Sequence, residues 1–189
     1  FVDGTFAEDY VETLGVNYMN KTIKFRTFLS LSLSIQRTHT HINTSIIKGN
    51  HPVTFSVWDL GGQRDFQSML PIVCADAAVV LYMFDLTRRP TLNNVKQWFK
   101  QCSTLNRKAF PFLIGTKYDS FEKLPESLRE NIIKMAKRYA KVMKSPLVFC
   151  SAAEDTNVKQ IFKVVLGRVF QLMDKMRLPR SSKGAILQY

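Results

Sequence analysis

Asp59, Gly61, Gly62 and Gln63 follow an apolar strand pattern, and these residue types at this spacing can serve a phosphate and a metal ion. An acid at the end of a buried strand can hold Mg²⁺, usually through water. A neighbouring glycine lets a backbone N–H approach a phosphate, and the glutamine after it can orient a water molecule. The arrangement suggests a sensor for a nucleotide γ-phosphate. The pattern Asp-x-x-Gly-Gln is short, however, and an ordinary turn after a strand also explains it.

Two further polar clusters follow apolar strands, at residues 116–119 and 151–153. The Asp119 carboxylate could accept hydrogen bonds from N1–H and the exocyclic amine of guanine. Adenine would leave this acid unpaired, at a cost of about 1–3 kcal/mol, so the cluster would favour GTP over ATP. Lys117 could lay its aliphatic stem over the base, and Ala152 could offer a backbone N–H to the guanine O6. A polar turn is the alternative for the first cluster, and the approach to a helix is the alternative for the second.

Strand and helix patterns alternate along the chain and place these clusters. Apolar or alternating runs predict strands over 14–25, 53–58, 77–84, 110–115 and 146–150, and the continuous run 77–84 is typical of a strand buried on both faces. Helical periodicity predicts helices after Pro90, over 125–144 and over 158–173, the last one closed by Pro179. We therefore expect an α/β fold with a mostly parallel sheet and helices on both faces. Ligands of such sheets bind beyond the carboxyl ends of the strands, where all three clusters fall.

Length and composition are those of one globular domain. The chain has 189 residues, of which 46% are hydrophobic. No apolar run reaches the ~18 residues of a membrane span, and no secretory signal opens the sequence. Cys74, Cys102 and Cys150 each lie in an apolar pattern without metal-ligand spacing. We interpret them as reduced core residues of a cytoplasmic protein.

The formal net charge is +12, and the cations concentrate in the predicted helix between Arg129 and Lys144. Apolar residues collect on the opposite side of that helix, so the simplest interpretation is a solvated basic face. An acidic protein partner is the second interpretation. Nucleic acid is the third, and we do not expect it because the sequence contains no recognised nucleic-acid-binding module.

Residues 27–50 differ in character from the rest. Leu/Ser alternation at 28–34 could extend a strand, whereas the remainder resembles low-complexity sequence. A structureless connection of this length is unusual in a compact domain. His39 and His41 would share one face of a strand, but without a third ligand nearby we do not expect zinc.

Several phrases of the sequence together resemble a Ras-superfamily small GTPase, and more narrowly the septum-promoting GTPase family. These phrases are Gly15-Val16-Asn17, Trp58-Asp59-Leu60-Gly61-Gly62-Gln63-Arg64, Met69-Leu70-Pro71, Met83-Phe84-Asp85-Leu86-Thr87 and Gly115-Thr116-Lys117-Tyr118-Asp119. The resemblance covers roughly residues 1–26 and 50–178. It implies a G domain of the P-loop NTPase type over 1–178, followed by a C-terminal tail over 179–189.

The resemblance also implies GTP or GDP and Mg²⁺ as cofactors, with GTP hydrolysis as the activity. It makes Thr13 and, through water, Asp59 the metal-binding residues, and Gln63 the catalytic residue. The GTP-binding set that it implies is Phe6, Thr13, Asp59, Gly62, Thr116, Lys117, Asp119, Ser151, Ala152 and Ala153. Thr116 stands where most Ras-like proteins carry Asn. The septum-promoting family resembles this chain in that departure.

Function follows from the resemblance as well. It implies a molecular switch that regulates septation, cytokinesis and mitotic exit, acting as a monomer through an effector protein kinase and a GTPase-activating protein. The printed C-terminus has no cysteine for prenylation, so we expect a cytoplasmic protein that reaches a spindle pole only through partners.

Two features depart from the family. The sequence contains no Gly-x-x-x-x-Gly-Lys-Ser/Thr, so we expect a G domain without its first strand and P-loop, from an incomplete gene model or a fragment, and weak nucleotide binding. A GTPase that has lost its P-loop is the alternative. The second departure is the insertion at 27–50, which resembles translated intron or, alternatively, a regulatory loop. A nucleotide-free interaction module that retains the G-domain fold is therefore the rival hypothesis for the whole chain.

Overall fold

The computed structural model describes residues 13–30, 46–171, 173, 181–182 and 184–188, in two compact units. The described residues up to Gly62 form the first, here called the hairpin unit. Those from Gln63 onward form the second, the sheet unit. Phe6, to which the resemblance gave a role, and His39 and His41, where zinc was not expected, lie outside the described residues.

The hairpin unit consists of two long antiparallel strands, β1 (Val16–Ser30) and β2 (Ile46–Leu60). Their register runs from Val16 opposite Leu60 to Ser30 opposite Ile46. Both predicted strands are present, and both continue into the segment 27–50, since 27–30 and 46–50 are strand residues. The first residues of the Leu/Ser alternation, 28–30, therefore do extend a strand, while 31–45 lies outside the described residues.

Cross-strand side chains support this pairing. Tyr18 lies opposite Trp58 with ring centroids 4.7 Å apart, and the Thr22 and Thr54 hydroxyls are 2.8 Å apart. Aromatic and threonine pairs of this kind each contribute about 0.2–1 kcal/mol to a sheet.

The sheet unit alternates strands and helices as the sequence predicts. A 3₁₀ helix (Arg64–Met69) is followed by α1 (Leu70–Cys74), β3 (Val79–Asp85), α2 (Arg89–Leu105), β4 (Phe110–Thr116), α3 (Tyr118–Phe121), α4 (Glu126–Met143), β5 (Leu147–Phe149), α5 (Val158–Val169), β6 (Ser181–Ser182) and β7 (Ala185–Gln188). The strand order is β3-β4-β5-β7-β6. β3, β4 and β5 are parallel, whereas β7 pairs antiparallel with β5 and with β6. The predicted mostly parallel α/β sheet with helices is confirmed.

The core of this unit is built around β4. Phe112, Leu113 and Ile114 are all completely buried, so β4 is covered on both faces, as its continuous apolar sequence predicts. β5 is buried in the same way, and α5 adds Val164 and Leu166. Cys74, Cys102 and Cys150 are buried and reduced, as the sequence predicts.

Three details of the sheet unit differ from the sequence-based expectation. β3 is not buried on both faces, because the Met83 side chain is 56% exposed. α5 ends at Val169 instead of continuing to Met173, because Gln171 adopts a left-handed conformation (φ 54°) that stops the helix. Residues 185–188, expected to be part of a tail, form a strand in which Ala185 and Leu187 are buried.

Candidate functional site

The carboxyl ends of three strands of the sheet unit meet at one edge of the sheet. The parallel register places Asp85 opposite Thr116, and Gly115 opposite Phe149. Residues that follow these positions, 116–119 after β4 and 151 after β5, therefore come together, as expected for the ligand-binding edge of a parallel sheet.

Asp119 is held at this edge by two hydroxyl groups. Ser151 Oγ donates to Asp119 Oδ1 at 2.6 Å, and Ser120 Oγ donates to Oδ2 at 2.9 Å. The Ser151 hydrogen bond lowers the pKa of Asp119; burial opposes it, but the Ser120 hydrogen bond and the charge of Lys123 add to the lowering. The carboxylate is thus ionised and accepts hydrogen bonds only. Two hydroxyls occupy about half of its four acceptor positions, so it can still accept from two N–H groups of a ligand.

Lys117 is positioned by an ion pair and by an uncommon backbone conformation. Its Nζ lies 2.9 Å from Asp85 Oδ2 while the side chain stays half-exposed. Its φ of 60° is left-handed, which costs a non-glycine residue about 1–2 kcal/mol. Strain of this kind concentrates at functional sites.

Asp85 in turn is fixed by Thr87, whose hydroxyl and N–H donate to Asp85 Oδ1 at 2.6 and 2.8 Å. Burial alone would raise the pKa of Asp85, but the hydrogen bonds from Thr87 and Lys117, with the charge of Lys117, outweigh burial and lower it. The carboxylate is therefore charged, and it holds the Lys117 ammonium at a defined place.

The remaining predicted residues of this edge have different surroundings. Thr116 donates its hydroxyl to the Phe84 carbonyl at 3.1 Å, so it ties β4 to β3. Ala152 and Ala153 are exposed residues that follow the buried Ser151.

In the hairpin unit, the two residues predicted to bind metal contact each other. Thr13 Oγ1 donates to Asp59 Oδ2 at 2.9 Å, and this contact is exposed. The Gly61 N–H donates to the Gly15 carbonyl at 2.9 Å and closes the end of the hairpin. Gly62 is exposed, with no atom within 4 Å of the position of a Cβ. Thr13 and Asp59 together present oxygen atoms of the type that Mg²⁺ prefers.

Gln63 precedes the 3₁₀ helix that opens the sheet unit, with extended backbone angles. Gln63 is half-buried, and its side-chain Oε1 is a buried atom without a hydrogen-bond partner among the described residues. A buried acceptor without a partner is costly, at about 1–3 kcal/mol, which is typical of a group that is completed by a ligand or by water.

Two searches of the described residues gave no further site. No group of three or more His, Cys, Asp or Glu side chains is arranged to hold a metal ion. No described helix combines the length and the apolar character that crossing a membrane requires.

Sequence reasoning assigned no role to four residues that shape the edge. Asp85 and Thr87 fix Lys117, Ser120 fixes Asp119, and Asn157 Nδ2 donates to the Phe149 carbonyl at 2.8 Å at the start of α5. Asp85 had a signal, because it is an acid at the end of an apolar run like Asp59. Asn157 had little signal in the sequence, because its φ of 58° is visible only in the structure.

Comparisons with known proteins agree on one family. The sequence profile described as the Ras family matches residues 1–171. The chain is 45% identical over 189 residues to septum-promoting GTP-binding protein 1 of Schizosaccharomyces pombe, which covers all of this chain and 84% of that protein. It is 26% identical over 178 residues to GTP-binding protein ypt1 of the same organism, covering 92% and 72% of the two chains. With Ras-related protein Rab-1A of Dictyostelium discoideum the identity is 26% over 167 residues, covering 86% and 67%. With a parallel sheet whose strand ends carry these polar clusters, and with similarity across its length, the chain belongs to the Ras family of small GTPases.

Proposed function

We propose that this chain is a GTP-binding molecular switch that regulates septation, cytokinesis and mitotic exit through a protein kinase cascade. Ras-family GTPases bind GTP or GDP together with Mg²⁺ and interact with effectors and GTPase-activating proteins. The observation that carries the proposal is the ionised Asp119 carboxylate, fixed by Ser151 and Ser120 at the ligand-binding edge of the sheet.

The chemistry of this edge fits a guanine base. Asp119 can accept from N1–H and from the exocyclic amine, a pair of donors that adenine does not offer. Lys117 would lie over the base, with its ammonium held 2.9 Å from Asp85. A backbone N–H at Ala152 would face the guanine O6. The relevant side chains are already oriented, which reduces the entropy cost of binding.

The proposed set of phosphate- and metal-binding residues is less complete than the proposed set of base-binding residues. Thr13 and Asp59 are the proposed Mg²⁺-binding pair, Gly62 the phosphate-binding glycine and Gln63 the residue that would orient water. The sequence contains no Gly-x-x-x-x-Gly-Lys-Ser/Thr, whose backbone and lysine supply much of the phosphate affinity. We therefore propose that this chain binds guanine nucleotides weakly, mainly through the base.

The test is nucleotide specificity, measured by equilibrium dialysis with labelled GTP, ATP and xanthosine triphosphate in the presence of Mg²⁺. Asp119→Asn replaces one acceptor by a donor, and xanthine carries a carbonyl where guanine carries the amine. This variant should lose at least about tenfold in GTP affinity and gain xanthosine triphosphate binding. Asp155→Asn, an exposed change at the Lys159 ion pair, is the matched control and should behave as the unsubstituted chain. Equal binding of GTP and ATP by the unsubstituted chain would contradict the proposal.

A nucleotide-free interaction module is the second candidate, and the absence of a P-loop motif from the sequence favours it. It predicts a folded chain that retains no labelled nucleotide at millimolar concentration. Complementation separates the two candidates in the cell. A Schizosaccharomyces pombe strain without septum-promoting GTP-binding protein 1 should form septa again with this chain, and the Asp119→Asn variant should fail. Rescue by both the unsubstituted chain and the Asp119→Asn variant would support the interaction module. Such a module would act through partners in the cytoplasm or at the spindle pole.

A further inference from the structure

We propose that the groove between α2 and α4 binds an acidic amphipathic helix of a partner protein. The groove has a volume of about 480 Å³, and its lining includes Phe99 of α2 with Met135, Tyr139 and Val142 of α4. None of these residues belongs to the clusters at the strand ends, so the inference is independent of nucleotide binding.

The first argument is the second apolar row on α4. The buried row of this helix is Ile132, Ala136, Ala140 and Met143. A further row, Leu128, Met135 and Val142, repeats every seven residues, and its two end members are 50% and 78% exposed. A solvated basic face needs no such row. The exposed apolar side chains therefore favour contact with another molecule.

The second argument is the shape of the groove. Phe99 is half-buried and is held by edge-to-face contact with Tyr82, with ring centroids 5.6 Å apart. Met135 and Tyr139 are also half-buried, whereas Arg89, Lys96 and Arg138 are exposed around them. An apolar floor between two helices suits large side chains of a third helix. A flat bilayer surface would meet the cationic rim but not this floor.

The third argument is charge. α2 and residues 131–144 contain no Asp or Glu, and they contribute eight cations, Arg89, Lys96, Lys100, Lys134, Lys137, Arg138, Lys141 and Lys144. In the described part of the chain the ion pairs are Lys117–Asp85 and Lys159–Asp155, so no cation of the rim is neutralised there. A partner helix with Asp or Glu beside Leu or Phe at i, i+3, i+4 and i+7 complements both the floor and the rim.

The experiment is selection of displayed random peptides of about 16 residues on the full chain, followed by affinity measurement of an enriched peptide at about 0.15 M salt. Lys96→Glu with Arg138→Glu alters the rim. Lys134→Glu with Lys137→Glu is the control, and it alters exposed residues of α4 that do not line the groove. Both pairs lower the formal net charge from +12 to +8, so long-range charge effects are matched. Val142→Ser tests the exposed apolar lining of the groove against Ile72→Ser, which lies elsewhere. Both residues are exposed, at 78% and 69%, so neither change should impair folding.

We expect enriched peptides that combine acidic residues with helical apolar spacing. Their affinity should fall at least about tenfold in the rim variant and in Val142→Ser, and less than about threefold in the two controls. Equal losses in both charge variants would reveal non-specific attraction and overturn the proposal. Enrichment without acidic residues would overturn it as well. A third result would also overturn the proposal: no acidic peptide is enriched, and the chain binds vesicles with about 30% phosphatidylserine through the groove. The surface would then be a membrane site.

Discussion

Ser151 Oγ donates a hydrogen bond to Asp119 Oδ1 at 2.6 Å, although the two residues are 32 positions apart in the sequence. The bond joins the loop after β5 to the loop after β4, and it points the second carboxylate oxygen toward Ser120. The Ser151 hydroxyl therefore contributes both to the orientation and, as the largest cause, to the lowered pKa of the acid proposed to recognise guanine.

Ser151→Ala should raise the pKa of Asp119 towards the ordinary aspartate value, because the largest contribution to its lowering is removed. A carbon-detected NMR titration of the Asp119 carboxyl measures this directly. Ser103→Ala removes a hydroxyl that donates to the Lys100 carbonyl elsewhere, and it should leave the titration unchanged. Any nucleotide affinity should fall about fivefold in Ser151→Ala, the effect of one hydrogen bond of about 1 kcal/mol. An unchanged titration would show that Ser151 does not set the state of Asp119.

Gly115→Ala should destabilise the sheet unit. A Cβ there would lie 2.8 Å from Leu86 Cδ2 and 2.9 Å from Phe149 Cδ1, both in the buried core. Such overpacking costs about 1–3 kcal/mol in the free energy of unfolding, measured with urea. Leu86→Ala in the same chain should restore part of the packing space, so the two changes should not be additive. Gly62→Ala, with no atom within 4 Å, should change stability by less than about 0.5 kcal/mol.

Stability should fall in acid through Asp85. Because its pKa is lowered in the folded chain, its contribution is fully present above the unfolded value of about 3.9 and is lost as the pH falls from there through the folded value. Thr87→Val removes the hydroxyl that donates at 2.6 Å and should flatten this part of the profile. Urea unfolding at a series of pH values between about 2 and 5 measures the slope in the range where this contribution is lost. The same slope in both chains would mean that other carboxylates dominate.

Cys150 should be unreactive in the folded chain. Burial raises the pKa of its thiol to about 12, so at pH 8 only about one molecule in ten thousand carries the thiolate. Burial, followed by the hydrogen bond to Cys102, also raises the pKa of Cys74 to about 12. Mass spectrometry after iodoacetamide treatment should find neither residue alkylated without denaturant, and both alkylated with it. Rapid native labelling of Cys150 would show that its surroundings open frequently.

The same two thiols predict a loss of stability in base. A raised folded pKa gives a contribution that is present below the unfolded value of about 8.5 and declines as the pH rises above it. Cys150→Ala should reduce this decline between about pH 8 and 10, measured by urea unfolding. If Cys150→Ala instead lowers the free energy of unfolding by the same amount at each pH, burial of the thiol does not cause the decline.

The sequence predicted the elements that carry strong local patterns. α4 was expected over 125–144 and spans Glu126–Met143, and the apolar run 110–115 lies within β4. Periodicity is a local property, so it locates these elements well. It also placed Asp119 and Ser151 at strand ends, which is enough to bring them to one edge of a parallel sheet.

The features that the sequence did not predict depend on distant contacts or on single backbone angles. β7 has only residues 185–188 and exists because Leu147 and Val148 of β5 pair with it. The end of α5 depends on the left-handed Gln171, and the place of Lys117 depends on Asp85 and Thr87. No pattern within a short window contains this information.

β7 also has a consequence for how the folded chain meets other copies of itself. An uncovered edge of a β-sheet offers N–H and C=O groups to any extended segment, and this is a common route to aggregation. β7 occupies the edge of β5, and the outer side of β7 is paired with the two-residue strand Ser181–Ser182. A strand of two serines offers a neighbouring molecule little backbone to pair with. β6 and β7 therefore protect the β5 side of the sheet from growth by strand addition.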